Sequence, residues 1–224
     1  LADRGLNFSD GVFETILILD GKPQLLDKHL KRWKNSASLL RMAAPPKEVE
    51  INSLIEEGIR KANLIQGNGV LRLNWSRGIN NERGINILPP TANNQSNTFW
   101  MEINRAEQRF KALTAQISTK EMRYTNSELN HCKSFAYNQS IKARYDAKTK
   151  GYDEALLLSS NGQICCGTTS NLIVRRNQRW LTPPLSSGCL PGVMRQQGLD
   201  SGIIIEEKLN PSPEKGDEWL LINS

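Results

Sequence analysis

The chain of 224 residues has only two histidines, His29 and His131, and four cysteines, Cys132, Cys165, Cys166 and Cys189. The histidines lie far apart, and the cysteines lack the spacing of zinc ribbons and redox motifs. No metal site is expected. Adjacent Cys165 and Cys166 would point to opposite faces of a strand and are poorly placed to pair with each other. A reducing, cytoplasmic compartment is therefore the simpler expectation. No apolar run approaches the roughly 20 residues that a membrane helix needs, so no membrane association is expected. The P-loop, the dinucleotide fingerprint, the nucleophile elbow and the zinc-protease helix are missing too. There is no internal repeat and no low-complexity tract.

A basic block is also lacking, although the formal charge is +6. Lys28, Lys31, Arg32 and Lys34 are balanced by Glu48, Glu50, Glu56 and Glu57, and no aromatic residues interleave with a basic run. That pattern excludes a recognisable nucleic-acid module. A small anionic substrate or cofactor would use the modest positive excess equally well. The 38% hydrophobic and 23% charged content is that of an ordinary globular chain. It opens on Leu1 rather than Met, as a portion of a longer chain would, which leaves room for a removed targeting segment.

The pattern then alternates between strand and helix periods. Val12 to Leu19 reads as a strand closed by the hairpin signal Asp20-Gly21. Leu26, Leu30, Trp33, Ala37 and Leu40 fall at helical spacing across 26–42, before Pro45-Pro46. A second helix is expected over 47–65 and a strand over 70–76. The Gly-, Asn- and Pro-rich stretch 77–97 reads as a long loop of the kind that often carries function. Strands follow at 98–104 and 112–118, then a helix over 134–150. Further strands are expected at 154–159, 170–175 and 179–182, with a turn at Asn161-Gly162. A short helix begins near Gly192, and two strands lie within 203–222. This order predicts an α+β fold in two domains: residues 1–106 form a smaller N-terminal domain, and 107–224 a larger, strand-rich one.

Six short segments carry the chemistry. "DRGLNFSDGVFET" at 3–15, "HLKRW" at 29–33 and "SRG" at 76–78 resemble first-domain markers of the class IV aminotransferases. "CKSFAYNQ" at 132–139, "GTTSNL" at 167–172 and "TPPLSSGCLPGVMRQ" at 182–196 resemble those of the second domain. Each is weak alone; in family order over nearly the whole chain they are specific. The resemblance implies the two-domain D-amino-acid aminotransferase-like fold with pyridoxal phosphate in the interdomain cleft. It further implies a homodimer. The family begins with another strand pair and continues past "LLINS" at 220–224, so sequence is expected to be missing at both ends.

Roles follow from the resemblance, residue by residue. Lys133 matches the lysine that carries pyridoxal phosphate. A lone lysine is ordinarily a solvated surface charge; in a partly desolvated site it loses its proton more easily and becomes nucleophile and base. Arg32 matches the arginine that grips the cofactor phosphate. The amides of Val193 and Met194, after Pro191-Gly192, match a helix-start phosphate cradle. Met194 lacks the hydroxyl that branched-chain aminotransferases place there; Ser224 is a further phosphate candidate. Tyr137 resembles the tyrosine that bonds the cofactor's phenolic oxygen. Arg72, Arg77 and Arg83, in or beside the 77–97 loop, are candidates for substrate carboxylates.

One departure stands out. Most of the family carries a glutamate that keeps the cofactor's pyridine nitrogen protonated, and here that position is Cys166. A thiol, with an unperturbed pKa of about 8.5, is a weaker partner. Transamination depends on a strong electron sink, whereas an elimination depends on it less. "GVMRQ" at 192–196 is also closer to the lyases of the family that release pyruvate from 4-amino-4-deoxychorismate. The expected activity is that elimination. An amino-acid aminotransferase and a non-catalytic cofactor-binding member are the alternatives.

Overall fold

The structure, a computed structural model, describes residues 2–79, 84–85, 96–108 and 110–224. The chain divides into two compact units: Leu1–Arg109 with Cys132–Ala136, and Phe110–His131 with Tyr137–Ser224.

The first unit contains α1 (Arg4–Phe8), β1 (Gly11–Leu19), β2 (Lys22–Pro23), α2 (Leu26–Leu39), α3 (Glu48–Lys61), β3 (Gly69–Ile79) and β4 (Ser96–Arg105). Its antiparallel sheet has the order β2-β1-β3-β4. Period-two alternation along β1 sends Val12, Ile16 and Ile18 into a core with Trp33 and Ala37 of α2. Ile51, Ile55 and Ile59, spaced four apart, form the buried stripe of α3. The Asp20-Gly21 turn takes positive φ at both residues, 45° and 72°, as a tight hairpin requires. Helix α2 stops at Leu39, short of the expected residue 42. Arg41 takes left-handed φ of 52° and turns the chain before Pro45-Pro46 is reached. Apart from 84–85, the middle of the expected 77–97 loop lies outside the described residues.

The segment 132–136 corrects the expected helix start at 134. Phe13 N–H donates to the Lys133 carbonyl at 3.0 Å, and Phe135 N–H to the Gly11 carbonyl at 2.9 Å. Val12 and Ser134 form a β-bridge. This backbone pairing holds the segment extended and places it with the first unit, so the following helix begins only at Asn138.

The second unit contains β5 (Ala115–Arg123), α4 (Asn138–Lys148), β6 (Glu154–Ser159), β7 (Ile164–Gly167), β8 (Asn171–Arg176), β9 (Arg179–Thr182), α5 (Val193–Asp200), β10 (Ile204–Glu206) and β11 (Glu218–Ile222). The sheet runs β10-β9-β8-β7-β6-β5, with β11 also on β8. Pairs β5–β6 and β9–β10 are parallel and the rest antiparallel. The apolar run Ala155–Leu157 of β6 is buried on both faces. One face packs on Ala143 and Ala147 of α4, the other on Ile164 and Leu172. Strand β7 was not anticipated, because four residues are too few to show a period. No helix among the described residues is long and apolar enough to cross a membrane.

A side chain at Gly11 would collide with the 132–136 segment, since a Cβ there would lie 2.3 Å from the Phe135 ring. Gly11→Ala should therefore destabilise the chain by about 1–3 kcal/mol, read as a lower urea midpoint. An unchanged midpoint would mean that Phe135 and the Trp75 carbonyl, 2.9 Å from the same Cβ, both give way.

Candidate active site

The site in the first unit is built on two neighbours in β1 whose side chains point to opposite faces. Glu14 turns toward α2 and its side chain is fully buried. Helical spacing places His29 and Arg32 one turn apart on α2, both facing it. His29 Nδ1 lies 2.7 Å from Glu14 Oε2. Arg32 closes a fork on the same carboxylate, Nε to Oε1 at 2.8 Å and Nη2 to Oε2 at 2.6 Å. Burial alone would raise the Glu14 carboxyl, but the hydrogen bonds from Arg32 and His29 carry it below its usual range.

Phe13 turns to the other face, where two cations meet its ring. Lys133 Nζ lies 4.5 Å from the ring centroid and the Arg72 guanidinium carbon 3.8 Å, distances at which a cation is attracted by the π face. Arg72 is steadied by its Nε–H bond to Asn74 Oδ1 at 2.8 Å, two residues along β3. The Lys133 backbone is fixed by Phe13 and by its own N–H bond to Ser36 Oγ at 3.2 Å.

Burial brings the Lys133 amine down from 10.5 to about 8; the Glu14 charge opposes this, while those of Arg32 and Arg72 add to it. An amine so poised can attack a carbonyl and move a proton near neutral pH.

In the second unit Cys166 is buried in β7 and registers with Asn171 of β8. The adjoining Cys165 brings its thiol down. Burial and Glu154 act against this, and the Arg123 guanidinium adds to it. The Cys165 thiol is pushed up in turn by Cys166, Cys189 and burial. All four cysteines are free thiols. Arg123 is held by Gln139 Oε1 at 3.1 Å and Ser140 Oγ at 2.9 Å. Glu154 is engaged by Arg144 and by the Thr168 hydroxyl at 2.6 Å.

Asn171 ties Cys166 to the other elements of this unit. Its Nδ2–H bonds the Leu190 carbonyl at 2.9 Å, and a Cβ on Gly192 would fall 1.9 Å from its Oδ1. Only glycine lets the Pro191-Gly192 turn pass so closely before α5 begins at Val193. Val193 is buried and Met194 exposed. Ile222 of β11 registers with the same Asn171, and Ser224 follows two residues later. Tyr137 is half-buried at the N-cap of α4.

Of the three arginines expected at substrate, Arg72 joins Lys133. Arg77 does not: its guanidinium is committed to Asp10 at 2.8 Å and to the Leu40 and Arg41 carbonyls at 2.8 and 3.2 Å. Arg83 lies outside the described residues. Sequence reasoning missed Glu14, His29, Arg123, Glu154 and Asn171. The first two sit inside the quoted "FET" and "HLKRW" segments, where a shared helix face for His29 and Arg32 was the available signal.

Comparison with known proteins identifies the family and the fold. The sequence profile described as "Amino-transferase class IV" matches residues 11–224. The chain belongs to the class IV aminotransferases and has their α+β fold. A Methanocaldococcus jannaschii protein, named as a candidate branched-chain-amino-acid aminotransferase, is 30% identical over 92% of this chain and 72% of its own length. An aminodeoxychorismate lyase of Bacillus subtilis is 26% identical over 87% of this chain and 65% of its own. A fold IV transaminase of Curtobacterium pusillum superposes with a TM-score of 0.83 and 26% identity, covering all of this chain and 76% of that one.

The Lys133 amine sets a stability prediction. Between its folded value of about 8 and the ordinary 10.5, the unfolded chain holds the extra proton, so stability rises with pH across that window. Below it the buried charge is a cost. Lys133→Met in the cofactor-free chain should raise the melting temperature at pH 7, by about 2–4 °C per kcal/mol relieved. The gain should fade as pH rises from 8 to 10.5. A lower melting temperature at pH 7 would contradict the burial argument.

Proposed function

We propose that this chain is a pyridoxal-phosphate enzyme that releases pyruvate from 4-amino-4-deoxychorismate to give 4-aminobenzoate, a folate precursor. Class IV membership supports the cofactor, and the donor set fits it: a lowered amine, a fixed guanidinium, and a helix start with no room for a Cβ. Lys133 would attach the cofactor's carbonyl carbon. Arg32, with the amides of Val193 and Met194, would hold the phosphate, and Ser224 is a further candidate. Tyr137 would meet the ring oxygen and Cys166 the ring nitrogen. When bound, the cofactor supplies a ring that draws off charge developing on the substrate.

The residues then divide the work. Lys133 removes the proton from the ring carbon that bears the amine. The carbon–oxygen bond to the enolpyruvyl group breaks, pyruvate departs after gaining a proton, and the ring becomes aromatic. Arg72, which shares the Phe13 ring with Lys133, would hold a substrate carboxylate; Arg83 is a further candidate from the sequence, and Arg77 drops out of this role. We further propose a homodimer in a reducing compartment such as the cytoplasm, in keeping with four free cysteines.

The observation that carries the lyase reading is Cys166 in place of a carboxylate. The lyase-like "GVMRQ" and the B. subtilis relative add to it. The second reading, an amino-acid aminotransferase, draws on the Arg123 guanidinium, which acts to lower the Cys166 thiol and so favours anionic character at that position. It also draws on the M. jannaschii relative.

The test follows pyruvate after protein loaded with pyridoxal phosphate meets 4-amino-4-deoxychorismate. Pyruvate and 4-aminobenzoate should appear together and be lost in Lys133→Ala, by about 1,000-fold or more for a missing nucleophile. No release, with amino-group transfer from an amino acid, would select the aminotransferase instead. A second prediction concerns Cys166→Glu. It should gain conversion of the cofactor to pyridoxamine phosphate in the presence of an amino acid; unchanged partitioning would count against the role given to Cys166.

A further inference from the structure

Three buried polar side chains converge where an apolar core would pack with less penalty. Glu14 is fully buried, His29 is 1% exposed and Arg32 10% exposed at the side chain. Breaking or tolerating such a set has a desolvation cost that stability alone does not explain. The far ring nitrogen of His29, Nε2, is buried with no hydrogen-bond partner among the described residues. Retaining a histidine here therefore forgoes one hydrogen bond. What the arrangement gains is a carboxylate held at both oxygens, one residue along β1 from the Phe13 whose ring meets Lys133 and Arg72.

We propose that Glu14, braced by His29, is the positioning residue of this site: it sets the Arg32 guanidinium for an anionic group and supplies the negative charge that offsets Arg32 and Arg72 at Lys133. The inference rests on the roles given above to Arg32 and Lys133. The carboxylate reaches Arg32 through two N–H bonds, so the guanidinium plane is fixed before any anion arrives. Glu14 favours the protonated form of the Lys133 amine, while Arg32 and Arg72 disfavour it. Removing that charge leaves the effect of the two guanidiniums less opposed, so the amine sheds its proton at lower pH. Glu14 touches neither substrate nor cofactor in this account; it acts through Arg32 and Lys133.

Two readouts on the cofactor-free chain separate these effects. Acetylation of Lys133 by acetic anhydride against pH, read by peptide mass spectrometry, gives the amine's midpoint. Binding of 4′-deoxypyridoxine 5′-phosphate, an analogue with the phosphate and ring but no aldehyde, reads Arg32. Glu14→Gln keeps the size and removes the charge, so the midpoint should fall by about one pH unit. Glu14→Asp keeps the charge but is one methylene too short to hold His29 and Arg32 together. It should leave the midpoint near wild type and weaken the analogue about tenfold, as for a lost charge-assisted bond. A midpoint that stays put in Glu14→Gln, or an affinity that stays put in Glu14→Asp, overturns the proposal.

If Glu14→Gln does not fold, Arg32→Met is compared with Arg32→Met combined with Glu14→Gln, which removes both members of the buried pair. The first should raise the midpoint and the second lower it again; equal midpoints overturn the proposal. Failure of the proposed function looks different. Wild-type chain that takes up neither the analogue nor pyridoxal phosphate would refute the cofactor reading, while the Lys133 titration would still report on Glu14.

Discussion

The carboxylate of Glu14 constrains the first unit more tightly than any apolar contact. A buried carboxylate without partners costs several kcal/mol, so its bonds to His29 and Arg32 fix α2 against β1 in one register. A slip of β1 by one residue would turn Glu14 to the opposite face and drive Phe13 into the helix side. The apolar alternation of Val12, Ile16 and Ile18 favours the same register. Because the Lys133 carbonyl accepts the Phe13 N–H, the lysine inherits that choice. A charge cluster on one face of a strand thus determines where an amine sits on the other.

Where local pattern decides structure, the sequence was a good guide. The strand β1, the Asp20-Gly21 turn and the isoleucine stripe of α3 follow from period and turn chemistry alone. The failures have a common cause in contacts distant along the chain. Residues 134–137 have helical composition but lose it to backbone pairing with Gly11 and Phe13, more than a hundred positions earlier. Arg77 resembled a free cation of a functional loop; Asp10 and two carbonyls around Leu40 claim it. Arg32 was found through its motif, yet its partner lies eighteen positions away on another element. No spacing rule connects those two residues, so Glu14 went unremarked.

Cys166 illustrates the same limit in electrostatics. From sequence it is a thiol where a carboxylate is usual, and an ordinary thiol is neutral at pH 7. Folding brings Arg123 to it, and with the adjoining Cys165 this favours the thiolate against the cost of burial. Glu154 is close enough to oppose them, although its own oxygens are occupied by Arg144 and Thr168. A carboxylate at position 166 would set a second buried acid within the field of the first, with Arg123 to serve it. A thiol places a smaller and titratable charge in that field. The position is therefore neither an anchored carboxylate nor an inert core residue.

Relatives named for elimination and for amino transfer share this fold at 26% to 30% identity, so the choice between those reactions is made by side chains. Both reactions begin alike, with an amine that is unprotonated often enough to attack and a base that removes a proton from carbon. In the proposed reading Lys133, brought to about 8 by burial and by two guanidiniums and held from going lower by Glu14, would meet that shared requirement. They part at the ring nitrogen, since amino transfer returns the proton to the cofactor and gains from a permanent anion there. An elimination sends the electrons out with a leaving group and needs less help. In the proposed reading a thiol at the position usually held by a carboxylate is the side chain that the second course would tolerate and the first resist.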